Sequence, residues 1–250
     1  IFFTERDGKI RTIDTNGNIL DEPVAFIRVE QKGGSGLLGI VLHPNFTENH
    51  LMYIYHTYTN GNELFNKVLL LKEKDNKIID SKIIIDSIPG SLYNNGGRIK
   101  IGPDNKLYIP TGDASNPHLA QNLSSLAGKI LRVNLDGTIP EDNPFKNSPV
   151  YSLGHRNIQG ISWDPENKSM YVSEHGPSGF DEINLIISGK NYGWPNVKCE
   201  GTKDFEKAIF CFNPAIAPSG ITFASSNKLG YKNDLIITTL KGSHLRQIDI

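Results

Sequence analysis

The sequence predicts an all-β fold of the β-propeller kind, built from four-stranded antiparallel blades, with about four and a half blades of a larger ring in this chain. Two observations carry this. Four segments opening at Gly39, Gly97, Gly160 and Gly220 repeat one pattern, a glycine, an alternating apolar strand, a turn and a second strand rich in Tyr, Ile and Val. Their spacing of roughly sixty residues is the length of a four-stranded unit and its connections. A β-sandwich would leave that regular spacing without a cause.

The elements follow in order. IFFTERDGKIRTID reads as the second and third strands of a unit whose opening strand is missing. GIVLHPNFTENHLMYIYHTY is the first full hairpin, and KVLLLKEKDN adds an outer strand. GRIKIGPDNKLYIPTGD is the second hairpin, followed by HLAQNLSSLAGKI, too short and too rich in Ser and Asn for more than a helical turn or two. GKILRVNLDG is the third strand of that unit. GISWDPENKSMYVSEHG and DEINLIISGK repeat the arrangement, as does GITFASSNKLGYKNDLIITTL, and LIITTLKGSHLRQIDI stops after a third strand. The reading is one propeller domain over residues 1–250, incomplete at both ends.

Composition narrows the function. With 250 residues, 38% of them hydrophobic, the chain can bury a core, and its formal net charge of −1 gives no bias toward nucleic acid or anionic membranes. No apolar run reaches the roughly 18 residues of a membrane span, so membrane association is not indicated. The start lacks both Met and a signal-peptide pattern, which implies a processed protein or a piece of a longer one. Cys199 and Cys211 lie in a polar segment without zinc-type spacing; a disulfide closing a surface loop or two free thiols both fit, and the disulfide would imply an oxidising, extracytoplasmic compartment. Asn-x-Ser/Thr matches at Asn45, Asn122 and Asn167 are too short to add weight.

Propeller sites form where loops leaving the inner strands converge, which singles out four clusters. YNNGGR (93–98) precedes one inner strand and GHRNIQG (154–160) the next. Arg156 and Asn157 can present a cation and an amide to a polarised carbonyl or carboxylate; alternatively Arg156 pairs with an Asp between blades. In SEHGPSGFDEINLI (173–186) the Gly176–Pro177 turn exposes main-chain carbonyls, with Glu174, Asp181 and Glu182 as further oxygen donors, a set suited to Ca²⁺ unless these are merely solvated acids. His175 beside them is a base or a polar surface residue. Lys241, in TTLKGSHLR, either reaches the channel to hold an anionic cofactor or stays in solvent.

Taken together, SGLLGIVLHPNF, GGRIKIGPDNKLYIPTGD, LAGKILRVNLDGTIPEDNPF, GHRNIQG, SEHGPSGFDEINLI, NYGWPN and APSGITF resemble, in this order, the glucose/sorbosone dehydrogenase family, soluble aldose dehydrogenases that use pyrroloquinoline quinone (PQQ). The resemblance implies a six-bladed ring, with PQQ and Ca²⁺ as cofactors, an aldose as substrate and an electron acceptor that the sequence does not identify. It implies that Arg156 and Asn157 contact the reactive quinone carbonyl, that Gly176 and Pro177 offer main-chain oxygens to the Ca²⁺, and that Lys241 contacts the anionic edge of PQQ; Glu182, from the acidic loop itself, is the further candidate ligand. It places the family's catalytic base, a His four residues before the Arg of the GGR motif, at Asn94. A second departure is Gly34, where relatives usually carry Gln or Glu, and the arginines that the family's last blades supply to PQQ fall beyond Ile250. Two functions therefore follow as expectations: oxidation of aldoses at the anomeric carbon by a protein with a substituted base, or a non-catalytic extracellular propeller that binds a carbohydrate or protein partner.

Overall fold

A computed structural model of the chain describes residues 1–224, 230 and 233–250. Its strands form five antiparallel sheets, each pairing its strands in chain order. The first holds β1 (Phe2–Thr4), β2 (Lys9–Thr12) and β3 (Ala25–Phe26). The second holds β4 (Leu37–Leu42), β5 (Leu51–Asn60), β6 (Glu63–Lys74) and β7 (Lys77–Pro89). The third holds β8 (Lys100–Ile101), β9 (Leu107–Pro110), β10 (Lys129–Val133) and β11 (Val150–Leu153). The fourth holds β12 (Ile158–Trp163), β13 (Met170–Glu174), β14 (Asp181–Ile186) and β15 (Phe210–Phe212), and the fifth β16 (Pro218–Phe223), β17 (Leu235–Thr239) and β18 (His244–Ile248).

This is a β-propeller of small sheets. Among the described residues it has five blades rather than the six of the ring that the resemblance implies, and the first and last units, read from the sequence as incomplete, form sheets of three strands each. The turn of the hairpin opening at Gly220 lies partly outside the described residues. The segment around HLAQNLSSLAGKI makes only a 3₁₀ turn, Pro117–Gln121.

Alternation explains the stacking. Along β5, Met52 and Ile54 pack with Ile10, Val24 and Leu37 toward the first sheet, whereas Tyr53 and Tyr55 pack with Ile99, Leu107 and Ile109 toward the third. The same division recurs between Tyr108, Ile130 and Val172 at the third seam and Tyr171, Ile221 and Phe223 at the fourth. Both faces of an inner blade are thus buried, and each fully buried Ile, Leu or Met contributes about 1.5–3 kcal/mol of apolar transfer energy. The repeat glycines have a steric cause at two positions. A Cβ on Gly39 would overlap the Gly97 carbonyl, and one on Gly160 the Ser219 carbonyl, so glycine lets neighbouring inner strands close up around the axis.

Candidate functional site

In an antiparallel blade, the loop entering the first strand and the loop leaving the second emerge at the same end. Residues 93–97 before β8, 154–157 before β12, 175–180 after β13, 213–217 before β16 and 240–243 after β17 therefore meet on one face. They line a cleft of about 850 Å³ that includes Asn94, Arg156, Gly176, Pro177 and Lys241. A chamber of about 460 Å³ adjoins it, bordered by Gly34, Arg98 and Asn157, with Tyr93, Asn94 and His175 common to both.

Asn94 sits at this junction with φ 57°, a left-handed backbone that Asn tolerates better than most residues. Its Nδ2 donates to Asp113 Oδ1 at 3.0 Å. Asp113 also accepts from the Ser115 amide at 2.8 Å and from Trp194 Nε1 at 2.9 Å, and is only 1% exposed. Three donors fix this carboxylate, and the side chain at residue 94 is oriented by it. Sequence reading assigned no role to Asp113 or Trp194, although both lie in quoted motifs. The available signals were an acid closing the second strand of a blade and an indole beside a Gly in NYGWPN.

Arg156 is held from several sides. Its Nη1 donates to the His175 carbonyl at 2.9 Å, its amide to Glu174 Oε1, and its guanidinium lies 5.6 Å from the Trp194 ring centroid. No Asp pairs with it among the described residues, so its charge faces the cleft without a fixed counter-ion. Asn157 Oδ1 accepts from the Gly96 amide at 3.1 Å and Gln159 Nε2 at 3.0 Å, which ties the third and fourth blades together.

His175 carries a feature that sequence could not show. Its Nε2 lies 2.8 Å from the Pro218 carbonyl, which can only accept, so Nε2 bears the proton and Nδ1 keeps a lone pair. Burial lowers its pKa below the usual histidine value, so the ring is neutral at pH 7.

The Gly176–Pro177 turn is shaped by Asp181. This buried carboxylate accepts from the amide of Gly176 at 3.0 Å on Oδ1 and from those of Ile216 and Ala217 at 2.8 Å each on Oδ2, which fixes its orientation between the two loops. A Cβ at Gly176 would overlap the Phe180 carbonyl. The carbonyls of Gly176 and Pro177 accept no hydrogen bond among the described residues, and both residues line the cleft. Unpaired carbonyl oxygens fit a hard cation whose remaining ligands are water or cofactor oxygens. Among the described residues no cluster of three His, Cys, Asp or Glu could hold a metal, so any cation here depends on those carbonyls.

Glu182 is not on the cleft. It meets Gly176 and Pro177 only at a void of about 10 Å³ beneath the floor. Its oxygens accept from the Cys199 amide at 2.7 Å and Asn184 Nδ2 at 3.0 Å, and burial together with neighbouring Glu174 pushes its pKa up to about 7. Glu182 thus anchors the loop closed by the Cys199–Cys211 disulfide, the first of the two alternatives that the sequence left open. Lys241 enters the cleft from the exposed turn after β17.

Behind this wall, Lys129 is fully buried and its Nζ donates to the carbonyls of Leu119, Ala120 and Ala127 at 2.8, 3.0 and 2.7 Å. The turn it secures carries Gln121, whose Nε2 donates to the Trp194 carbonyl at 2.7 Å. Trp194, and through it Asp113, is positioned by this chain of contacts.

The fold and site together define a β-propeller with one polar cleft, bordered by Arg156, Lys241 and the unpaired carbonyls of Gly176 and Pro177, on one face. The model of the Glucose / Sorbosone dehydrogenase family matches residues 1–250, and the chain belongs to that family. It is 37% identical over 260 residues to quinoprotein glucose dehydrogenase B of Acinetobacter calcoaceticus, covering 91% of this chain and 54% of that protein. It is 29% identical to the aldose sugar dehydrogenase YliI of Escherichia coli, covering 96% of this chain and 72% of the relative. The PQQ-bound aldose sugar dehydrogenase of Streptomyces coelicolor superimposes with a TM-score of 0.88 at 33% identity, covering 100% of this chain and 73% of that one. The chain therefore spans about half the length of the Acinetobacter protein.

Proposed function

We propose that this chain carries the cleft of a PQQ-dependent dehydrogenase that oxidises aldose sugars at the anomeric carbon, acting outside the cytoplasm as part of a six-bladed ring. The observation that carries the proposal is the meeting in one cleft of Arg156, the unpaired carbonyls of Gly176 and Pro177, and Lys241. The comparisons with sugar dehydrogenases support it, and the Cys199–Cys211 disulfide supports an oxidising compartment.

In this reading Arg156 and Asn157 stabilise negative charge at the quinone carbonyl, the two carbonyls hold Ca²⁺, and Lys241 binds the anionic edge of PQQ. Bound there, PQQ supplies a two-electron acceptor for the hydride leaving the anomeric carbon. The hydroxyl proton needs a separate acceptor. Asn94 cannot serve, because a neutral amide is not a base at pH 7. His175 can, since Nδ1 is a free lone pair on a neutral ring at the edge of cleft and chamber. We assign the proton to His175 Nδ1, with Asn94 and Asp113 orienting the sugar. The test is aldose-driven dye reduction by the full-length protein with PQQ and Ca²⁺. Turnover in the wild type that falls in His175→Gln supports the assignment; turnover untouched by that change removes His175 from the reaction.

A further inference from the structure

Away from the cleft, a second pocket of about 420 Å³ lies in the seam between the first and second blades. Arg28, Glu30, His56, Tyr58, Thr59 and Lys67 line it, and none of them borders the cleft or its chamber. His56 pairs with Leu37 at the start of β4, so the pocket opens on the cleft's face of the propeller. Residues 30–36 form the wall between the two, with Glu30 on one side and Gly34 on the other.

The polar groups divide into those already used and those left over. Glu30 is engaged by Lys32 at 2.8 Å and by Thr59 Oγ1 at 3.0 Å, and the Tyr58 hydroxyl by Asp86 at 2.5 Å. Arg28 and Lys67 make no ion pair among the described residues; Lys67 Nζ stands 4.1 Å from the Tyr58 ring centroid. His56 is 3% exposed, and its Nε2 is buried without a hydrogen-bond partner among the described residues. Its Nδ1 faces the Thr57 carbonyl at 3.3 Å, which requires the proton on Nδ1 and a lone pair on Nε2. Burial, opposed only partly by that carbonyl, brings its pKa down to about 4, so the ring stays neutral at pH 7.

Two unpaired cations call for a negatively charged acceptor, and one buried lone pair calls for a donor. A bare inorganic anion leaves Nε2 unpaired, a neutral polyol leaves the cations unpaired, and an amine is repelled. We propose that this pocket binds a small hydroxylated carboxylate, its carboxylate between Arg28 and Lys67 and a hydroxyl directed to His56 Nε2. The Tyr58 ring and Val29 supply the apolar wall for its carbon chain.

The test is calorimetric titration of the full-length protein with D-gluconate at constant ionic strength, followed in parallel by nitrogen NMR of selectively labelled histidine. Saturable binding that shifts the His56 ring nitrogens and weakens about tenfold or more in an Arg28→Ala/Lys67→Gln double variant is the expected result. Both side chains line the pocket and neither makes a hydrogen bond or ion pair among the described residues, so circular dichroism of the double variant should match the wild type. Acetate and sorbitol, each lacking one half of the ligand, should bind at least about tenfold more weakly than gluconate. Absence of saturable binding, equal binding by the double variant, or sorbitol matching gluconate overturns the proposal.

Discussion

In the proposed dehydrogenase, residue 94 carries an amide where a base would be worth about 10²- to 10⁴-fold in rate, and His175 Nδ1 has no hydrogen-bond partner among the described residues. His175→Gln should therefore lower kcat by about 10²-fold or more while leaving the affinity for PQQ within a few fold, measured by dye reduction and cofactor titration. Because burial depresses the His175 pKa, the basic form persists to lower pH than the ordinary 6.5. The rate should stay level as pH falls through 6.5 and drop only below it; a profile that already halves at 6.5 or above would place the titrating base elsewhere. Much of this site was legible in sequence: Arg156, Gly176, Pro177 and Lys241 all border the cleft, because glycine-flanked loops at blade ends have one face to occupy. The tautomer of His175 was not legible, since the Pro218 carbonyl that fixes it comes from the next blade, 43 residues away. Glu182 misled for a related reason: cross-strand pairing turns it under the floor, opposite Glu174, rather than into the cleft.

At the scale of elements, two buried ionisable groups hold the walls. Lys129→Met removes the donor for three carbonyls behind the cleft and should cost about 1–3 kcal/mol of stability, read as a lowered Tm. If the cleft is the proposed dehydrogenase site, turnover should fall with it, since the freed turn no longer fixes Trp194 through Gln121. Glu182 titrates in the opposite sense from most carboxylates. Its folded pKa is raised to about 7, so the folded state holds a proton that the unfolded state releases near 4.5, and this contribution to stability is lost as pH rises between those values. Glu182→Gln keeps an acceptor for the Cys199 amide without the charge, so its Tm should gain on the wild type from pH 5 to pH 8. A constant difference across that range would mean that Glu182 ionises freely. The strands themselves were legible because each hairpin alternates toward two seams. That the three strands at each end pair as a sheet of their own was not legible, since a strand shortfall in the repeat does not say whether the remaining strands still pair.

For the whole molecule, repetition fixes the scaffold and departures from repetition make the site. The five blades bury equivalent rows of Ile, Leu and Tyr, while Asn94, Asp113, Arg156, His175 and Trp194 come from the third and fourth blades and their connections and meet on one face. If that face is a PQQ site, the unpaired carbonyls of Gly176 and Pro177 make cofactor uptake calcium-dependent. Chelation with EGTA should then abolish the PQQ-induced absorbance change, and Ca²⁺ should restore it. The most direct test of the central claim is the rate of aldose-driven dye reduction by the full-length protein loaded with PQQ and Ca²⁺, measured for the wild type beside His175→Gln and Asn94→His. The account predicts that the wild type turns over and that His175→Gln loses about 10²-fold or more. A silent wild type beside an active Asn94→His variant would contradict it, because the cleft would then retain its cofactor chemistry while lacking any proton acceptor of its own.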